Sequence, residues 1–363
     1  MRPIQVHLFT DDNRIPEHLP DEPVFFYENK RYLNFASFDC FHLRNHDYLK
    51  EAAKLAIDQH GLTAGTGSGK AEAALVQAMN AFKKTEDLLL FPDEISAIFY
   101  VLSIFGEKAT FFVEYETSSA IAAVVPTRSV EFYRRDDPEQ LRKLIGARSE
   151  RVLIVDGIYE WSGAISPMND LINVAREYGC FVVANEFGSF GFLGRDGRGL
   201  IDFFNLYEDA NLEVGSFQRF LGGFGAYVAG KKYLIKKIEE NTAGHEAALP
   251  EFMNAVNCAG LDFLQDEKAN KRMIQGLWSQ SRYAITRLRQ DGFTTPSDTP
   301  IIVVCLGNED EAHSMARNLF ADGLIVGQKR ERIRFILSIE HTQEDIDFCL
   351  DRLLVNARKL GIK

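Results

Sequence analysis

The sequence has 363 residues, 46% of them hydrophobic, so it is long enough for one large domain and a smaller one, each with its own core. A formal net charge of -11, without a clustered stripe of Lys and Arg, argues against nucleic acid as a partner. The five cysteines are scattered without ligand spacing, which favours free thiols in a reducing compartment, and we expect no metal site.

The N-terminus predicts neither a signal peptide nor a membrane anchor. Residues 1–20 carry acidic residues and prolines where a signal peptide would have a basic end followed by an apolar core. No later window holds 18 uninterrupted apolar residues. We therefore expect a cytoplasmic protein without a transmembrane segment of its own.

In chain order, two β-like runs, PVFFYE and RYLNFAS, precede a predicted helix over 47–59. The glycine-rich run GLTAGTGSGK, residues 61–70, separates this helix from a second one predicted over 71–84. Short apolar runs then alternate with amphipathic helices as far as about residue 240. This alternation predicts an α/β domain whose largely parallel sheet is buried on both faces.

The rest of the chain has a different pattern. Helical periodicity over 249–290 is followed by PIIVVCLG, a helix over 309–321, GLIVG and RIRFILSIE. Thr342, with Asp345 three residues later, predicts a capping box that opens the last helix. The predicted domains are an N-terminal segment (1–45), a large α/β domain (46–245) and a small C-terminal α+β domain (246–363).

Two motifs imitate functional sites. The run AGTGSGKA, residues 64–71, is close to a phosphate-binding loop, but a helix precedes it and Ala71 stands where magnesium requires a hydroxyl. We interpret it as a flexible glycine loop. His42 and His46 are spaced like metal ligands on a helix, but no third ligand is near, so we interpret them as surface histidines.

Motifs along the chain resemble the α-oxoamine synthase family. YLNFASFDCFHL, HGLTAGTGSG, FKKTEDLLLF and RIRFILSIEHTQEDID resemble successive family segments, and the most specific match is GFLGRDGRG, residues 191–199. Members are fold-type I pyridoxal phosphate (PLP) enzymes that join an amino acid to an acyl-CoA with loss of carbon dioxide. The resemblance implies a fold-type I aminotransferase-like large domain with a mostly parallel seven-stranded sheet, and a smaller C-terminal α+β domain.

The resemblance also implies that the cofactor residues of the family are replaced. Asn185 stands where the family has the aspartate that keeps the pyridinium protonated, and Gly188 where a histidine touches the ring hydroxyl. The histidine that stacks on the ring falls at or next to Ser118, in EYETSSA. Arg219 replaces the Schiff-base lysine, and a guanidinium with a pKa above about 12 provides no neutral amine.

The phosphate-binding turn of the family is changed as well. Asp93 and Glu94, in PDEISAI, place negative charge where the phosphate would lie. We therefore expect this chain to bind no PLP. Arg219 is expected to pair with a carboxylate, and Glu186 is one candidate partner.

Two details resemble the non-catalytic subunit of serine palmitoyltransferase, a family member that lacks the lysine. Phe38 in NFASFD matches it, as do Ser189 and Phe190 in EFGSFGFLG. This resemblance implies a pseudoenzyme that forms a heterodimer with a homologous, lysine-bearing catalytic subunit, at the endoplasmic reticulum membrane through its partners. The catalytic subunit would bind PLP and condense L-serine with palmitoyl-CoA to 3-oxosphinganine in sphingolipid biosynthesis.

Some residues of this chain would then approach the shared site, where acyl-CoA and the amino acid bind. Arg332 or Arg334, in RIRFILS, matches the region in which the family grips the substrate carboxylate. The others belong to the glycine loop and are Thr63, Gly65, Thr66 and Gly67. The alternative is a stand-alone, divergent protein of this fold that binds a different ligand without PLP.

Overall fold

The computed structural model describes residues 22–63, 69–146, 148–194, 196–242 and 249–362. These residues form two units. Unit 1 comprises the described parts of Met1–His42, Glu160–Ile165 and Arg272–Lys363, and unit 2 those of Leu43–Tyr159 and Ser166–Lys271. The domain boundaries drawn from the sequence, at residues 45 and 245, stay a prediction.

Helices and strands alternate through most of the described chain. The helices are α1 (Asp47–His60), α2 (Lys70–Lys83), α3 (Glu94–Ser103), α4 (Ser119–Val124), α5 (Pro138–Gly146), α6 (Met168–Tyr178), α7 (Leu200–Phe204), α8 (Lys232–Thr242), α9 (Glu251–Gln265), α10 (Glu267–Gln290), α11 (Glu309–Ala321) and α12 (Gln343–Lys359). The strands are β1 (Val24–Tyr27), β2 (Lys30–Asn34), β3 (Asp87–Phe91), β4 (Ala109–Glu114), β5 (Ser129–Tyr133), β6 (Glu150–Asp156), β7 (Phe181–Asn185), β8 (Leu212–Ser216), β9 (Ala226–Gly230), β10 (Ile301–Cys305), β11 (Leu324–Ile325), β12 (Gly327–Lys329) and β13 (Arg332–Ile336).

The central sheet of unit 2 has seven strands in the order β3-β9-β8-β7-β6-β4-β5. The neighbours from β8 to β5 are parallel, whereas β9 runs antiparallel to both β3 and β8. Parallel strands covered on both faces need continuous apolar runs, and residues 152–155 of β6 are such a run, fully buried. The predicted, mostly parallel seven-stranded sheet is confirmed.

The parallel strands also place polar residues side by side at one edge of this sheet. Asp156 and Asn185, the last residues of β6 and β7, are in register, and Asn185 is also paired with Val214 of β8. In open α/β sheets, ligands bind beyond the carboxyl ends of the strands. This edge is therefore where the candidate site is to be sought.

Unit 1 contains two three-stranded sheets, in the orders β1-β2-β11 and β10-β13-β12. Strand β10 pairs antiparallel with β13, which pairs antiparallel with β12. The predicted capping box at the start of α12 is confirmed, because the Thr342 side chain accepts from the Asp345 N–H and the Asp345 side chain from the Thr342 N–H. The smaller α+β part predicted for the C-terminal region is thus present.

His341, next to α12, makes unit 1 sensitive to acid. Its Nδ1 accepts from the backbone N–H of Ser338 (3.1 Å), so Nε2 carries the proton and donates to the carbonyl of Pro23 (3.3 Å). Burial lowers the pKa of His341 from 6.5 to about 4, although the Pro23 carbonyl opposes the shift. The unfolded chain therefore binds more protons than the folded one between these two values, and stability falls as the pH falls through this window.

We expect wild-type protein to lose about 1 kcal/mol of its free energy of unfolding through His341 between about pH 7 and pH 5.5. Urea unfolding at both pH values, compared with His341→Gln, isolates this contribution from that of the carboxylates. Equal pH dependence of the two proteins would contradict it.

Candidate functional site

Three buried polar side chains meet where β6 and β7 end. The Nδ2 of Asn185 donates to Asp156 Oδ1 at 2.5 Å and to Ser118 Oγ at 3.3 Å. The backbone N–H of Ser118 also points at Asp156 Oδ1 (3.4 Å), and Asn185 Oδ1 accepts from the N–H of Phe187 (3.0 Å). These bonds fix the Asn185 amide as a donor to Asp156, so Asp156 carries the carboxylate at this edge.

Arg219 forms a bidentate ion pair with Glu94. It lies between β8 and β9, and its Nε and Nη2 donate to Glu94 Oε1 (2.9 Å) and Oε2 (3.0 Å). The two side chains are 12% and 14% exposed. Such paired, charge-assisted bonds are strong and directional. The predicted carboxylate partner of Arg219 is confirmed, but it is Glu94; the candidate Glu186 is wrong, since its carboxylate lies 3.4 Å from the Nζ of Lys83.

Asp93 lies at the same end of α3 as Glu94. It is the N-cap residue of this helix, and its carboxylate accepts from the backbone N–H (2.7 Å) and the hydroxyl (3.0 Å) of Ser96. The protein's own carboxylates thus lie at the helix end where the resemblance places the phosphate. Asp93 bonds Ser96 and Glu94 bonds Arg219.

Ser118 and Gly188 are the residues that the resemblance places at or next to the two histidine positions of the family. The Ser118 hydroxyl caps α4 by accepting from the N–H of Ile121 (3.5 Å). A Cβ added to Gly188 would lie 3.2 Å from the carbonyl oxygen of Ile158. The backbone is therefore packed too closely at Gly188 to admit a large side chain without movement.

A second polar group beside this edge was missed from the sequence. Glu114 ends β4, and burial raises its pKa to about 7. The backbone N–H of Glu116 and the charge of Arg135 lower the pKa, but by less than burial raises it. Arg135 pairs with Glu116 (3.2 Å) and lies over the ring of Tyr159, 4.4 Å from its centroid. The sequence did carry a signal for Glu114, because Glu114 and Asp156 each end an apolar strand and both strands belong to the same parallel sheet.

The predicted loop residues are described only in part. Gly65, Thr66 and Gly67 lie outside the described residues. Thr63 is exposed just after α1. Their approach to a substrate site remains a prediction.

Glu251 occupies the amino end of α2, where a phosphate-binding loop would hold its anion. Its Oε2 accepts from the backbone N–H of Ala71 (2.8 Å), and a Cβ on Gly69 would lie 1.2 Å from its Oε1. The helix end thus already holds a carboxylate. This arrangement supports the interpretation that the run is not a nucleotide site.

Arg332 belongs to unit 1. Its Nη1 donates to the carbonyl of Trp161 (2.6 Å), and its side chain is 25% exposed. Nearby, the Arg334 guanidinium lies between Trp161 and Phe38, 4.1 and 4.8 Å from their ring centroids. A role for Arg332 in carboxylate binding remains a prediction.

His42 and His46 are engaged separately. His42 Nε2 lies 3.1 Å from Glu22 Oε2, whereas His46 Nδ1 accepts from the N–H of Tyr48 (3.2 Å) and caps α1. Within the described ranges, no group of three or more His, Cys, Asp or Glu side chains could hold a metal ion.

The resemblance implies that the family holds PLP through a lysine and an aspartate. The residues found at these two positions do not fit PLP in that way. Position 219 offers a guanidinium committed to Glu94 in place of an amine. The Asn185 amide is turned to Asp156 and Phe187, and its nitrogen cannot accept a proton from a ring nitrogen. A covalent bond between PLP and position 219 is therefore excluded by side-chain chemistry.

The comparisons with known proteins cover both units. No family model matches the chain. It is 27% identical to 8-amino-7-oxononanoate synthase of Thermoanaerobacter pseudethanolicus, over 94% of this chain and 92% of that protein. A serine palmitoyltransferase with the PLP internal aldimine has a similar fold, with a TM-score of 0.87 and 20% identity, covering 96% of this chain and 93% of the other.

A second solved structure bears on the missing lysine. It is a serine palmitoyltransferase of S. paucimobilis with a lysine-to-alanine substitution and a bound PLP-myriocin aldimine. Its TM-score is 0.87 at 20% identity, and the match covers 96% of this chain and 93% of the other.

These relatives overturn three predictions. The prediction that this chain is like the non-catalytic subunit of serine palmitoyltransferase is wrong, because the relatives are 8-amino-7-oxononanoate synthases, which are catalytic. The prediction of a heterodimer with a lysine-bearing partner is also wrong, because these synthases work without a second kind of subunit. The expectation that this chain binds no cofactor is contradicted, because the relatives and fold neighbours are PLP-dependent enzymes.

The predicted attachment to the endoplasmic reticulum depended on that partner and is not supported. Among the described residues, none of the helices combines the length and apolar character needed to cross a membrane. The fold of this chain is that of PLP-dependent transferases, and its relatives are named as enzymes of the same class. The predicted resemblance to the α-oxoamine synthase family, with its fold-type I architecture and smaller C-terminal domain, is confirmed.

Proposed function

We propose that this chain acts without a second kind of subunit, as an acyltransferase of the α-oxoamine synthase type that uses PLP without a covalent bond to the protein. The observation that carries the proposal is the match of 94% of this chain to 92% of an 8-amino-7-oxononanoate synthase. A match of this extent supports the same transferase architecture in both proteins. The acyl donor would be a thioester and the acceptor an amino acid.

Loss of the lysine is compatible with PLP binding in this fold. In the serine palmitoyltransferase with the lysine-to-alanine substitution, PLP is joined to myriocin. PLP has a single aldehyde, so this PLP is not joined to the protein. That precedent supports a non-covalent cofactor in a chain with arginine at position 219.

The polar residues of unit 2 supply charges that such a cofactor would meet. When bound, PLP would supply an electron sink for the negative charge that develops on the amino-acid carbon beside the amine of the substrate. Asp156 keeps a buried carboxylate next to Asn185, so the negative charge of this edge is displaced by one strand and not lost. Arg219 is the cation near the amino end of α3.

Dialysis of the purified chain against PLP tests the cofactor. We expect PLP to be retained, and to be released by denaturant even after borohydride treatment. Asp156→Asn should weaken PLP binding at least about tenfold, because it removes the only charge of the Asp156, Asn185 and Ser118 group. The matched control is Asp209→Asn, which breaks an ion pair to the exposed Arg176 and should leave PLP binding unchanged.

The transferase activity is tested by thiol release from acyl-CoA in the presence of PLP and mixed amino acids. We expect release that depends on both PLP and an amino acid. A chain that retains PLP but releases no thiol with any amino acid would contradict the acyltransferase. A chain that retains no PLP would contradict the cofactor.

A further inference from the structure

We infer that Glu94 is a positioning residue, which turns the guanidinium of Arg219 towards α3 and would also hold a lysine at that position in its protonated form. Replacing Arg219 by lysine would then not be enough to give a reactive amine, because Glu94 would still oppose attachment of an aldehyde. This inference concerns the ion pair itself and does not rest on the proposed function.

The geometry ties the two positions to each other. Glu94 stands in the first turn of α3 and Arg219 between β8 and β9, 125 residues apart, and both oxygens of the carboxylate are used by the guanidinium. The Arg219 side chain is 12% exposed, so a small aldehyde in solvent can reach this place. A carboxylate fixed there would stabilise any positively charged side chain at position 219.

The consequence follows from the chemistry of amine attack. Only a neutral amine has the lone pair that attacks an aldehyde carbon. An opposite charge within about 4–6 Å favours the charged form and shifts a pKa by about 1–3 units. A lysine introduced at position 219 would therefore have a higher pKa, and a smaller neutral fraction at any given pH, with Glu94 present than with glutamine at position 94.

Other charged groups surround this turn and stay constant in the comparison. Asp93 lies on α3 beside Glu94, and a Cβ added to Gly222 would lie 2.7 Å from the backbone nitrogen of Arg44. Asp93 and Arg44 are unchanged in every variant of the test. Variants that differ only at position 94 isolate the effect of Glu94.

The test compares Arg219→Lys with the double variant Arg219→Lys/Glu94→Gln. Each is treated with formaldehyde and borohydride over a range of pH, and the peptide that contains position 219 is followed by mass spectrometry. The amine nitrogen attacks the aldehyde carbon, the carbonyl oxygen leaves as water, and hydride from borohydride reduces the carbon–nitrogen double bond. We expect the pH of half-maximal labelling to be about 1–3 units lower in the double variant, with at least about tenfold more labelling near pH 7.

A matched ion pair in unit 1 provides the control. Arg352 forms a bidentate pair with Asp322 (2.9 and 2.9 Å), and Asp322→Asn in the Arg219→Lys background should leave the labelling profile at position 219 unchanged. Thermal unfolding checks that each variant is folded. Identical profiles of the single and double variants would overturn the inference, as would folded variants that remain unlabelled even at high pH. Formaldehyde is used in place of PLP, so failure of PLP to bind would leave this result unaffected.

Discussion

Replacing Lys83 by methionine should lower the free energy of unfolding by about 3–5 kcal/mol. The Nζ of Lys83 lies 3.4 Å from Glu186 Oε1 and 3.3 Å from Glu213 Oε2, and it donates to the backbone carbonyl of Arg198. The three side chains are at most 2% exposed. Methionine has a similar shape, but it leaves the Glu186 carboxylate without a cation where water cannot solvate it.

The charge balance of this cluster explains the size of the effect. Burial raises the pKa of Glu213 to about 8, although Lys83 opposes the shift, so Glu213 is largely protonated at neutral pH. Lys83 therefore mainly neutralises Glu186, which also accepts from the backbone N–H groups of Leu200 (2.7 Å) and Ile201 (3.1 Å). Without Lys83, the negative charge of Glu186 is left against the start of α7.

Lys84→Met is the matched control. Lys84 is the next residue, but its side chain is 52% exposed and pairs with Asp202 at 3.2 Å. Exposed pairs contribute roughly 0–1 kcal/mol, so this variant should stay close to wild type. Urea unfolding followed by circular dichroism measures both. A Lys83→Met variant as stable as Lys84→Met would show that the cluster tolerates an uncompensated charge.

The fold was predictable because its signals are local. The apolar run at 152–155 and the capping box at Thr342 need only a few neighbouring residues to be recognised. The exact end of α2 had no such local signal. It was predicted at Lys84, but the helix ends at Lys83, and Lys84 adopts a left-handed conformation (φ 58°) that is unusual for a residue with a side chain.

The pairing of charges at the site could not be read from the sequence. Positions 185 and 219 were found through motif register, but Asn185 and Glu186 are consecutive at the end of β7, where successive side chains point to opposite faces. Glu186 consequently meets Lys83 from α2, and Arg219 pairs with Glu94 from α3. Only the folded chain brings these distant residues together.

The wrong functional prediction has a structural cause. Ser189 and Phe190, two of the residues that matched the non-catalytic subunit, are buried core positions. The Ser189 hydroxyl bonds Glu186, and the Phe190 ring packs 5.3 Å from that of Tyr227. Such residues report how the core packs, and they carry no information about a partner subunit.

Asn185→Asp, the second large effect, should lower the free energy of unfolding by about 3 kcal/mol near pH 8. The present donor, Asn185 Nδ2, lies 2.5 Å from Asp156 Oδ1, so the substitution would put two buried carboxylates in contact. Both cannot ionise at that distance, and the pair should share one proton. We estimate that its folded pKa is raised by about 2 units, each equivalent to about 1.4 kcal/mol.

The sign of the pH dependence follows from that shift. With a folded pKa above the unfolded one, folded Asn185→Asp binds the extra proton, so its stability relative to wild type is lost as pH rises through the folded pKa; about half of the loss is regained near pH 5 and the rest below the unfolded pKa. Asn241→Asp is the control, because Asn241 is exposed on α8, where it donates to the Ser103 carbonyl (3.2 Å). Urea unfolding near pH 5 and pH 8 separates the two. If PLP binds as proposed, its protonated ring nitrogen would supply the missing cation, and PLP should stabilise Asn185→Asp more than wild type near pH 8.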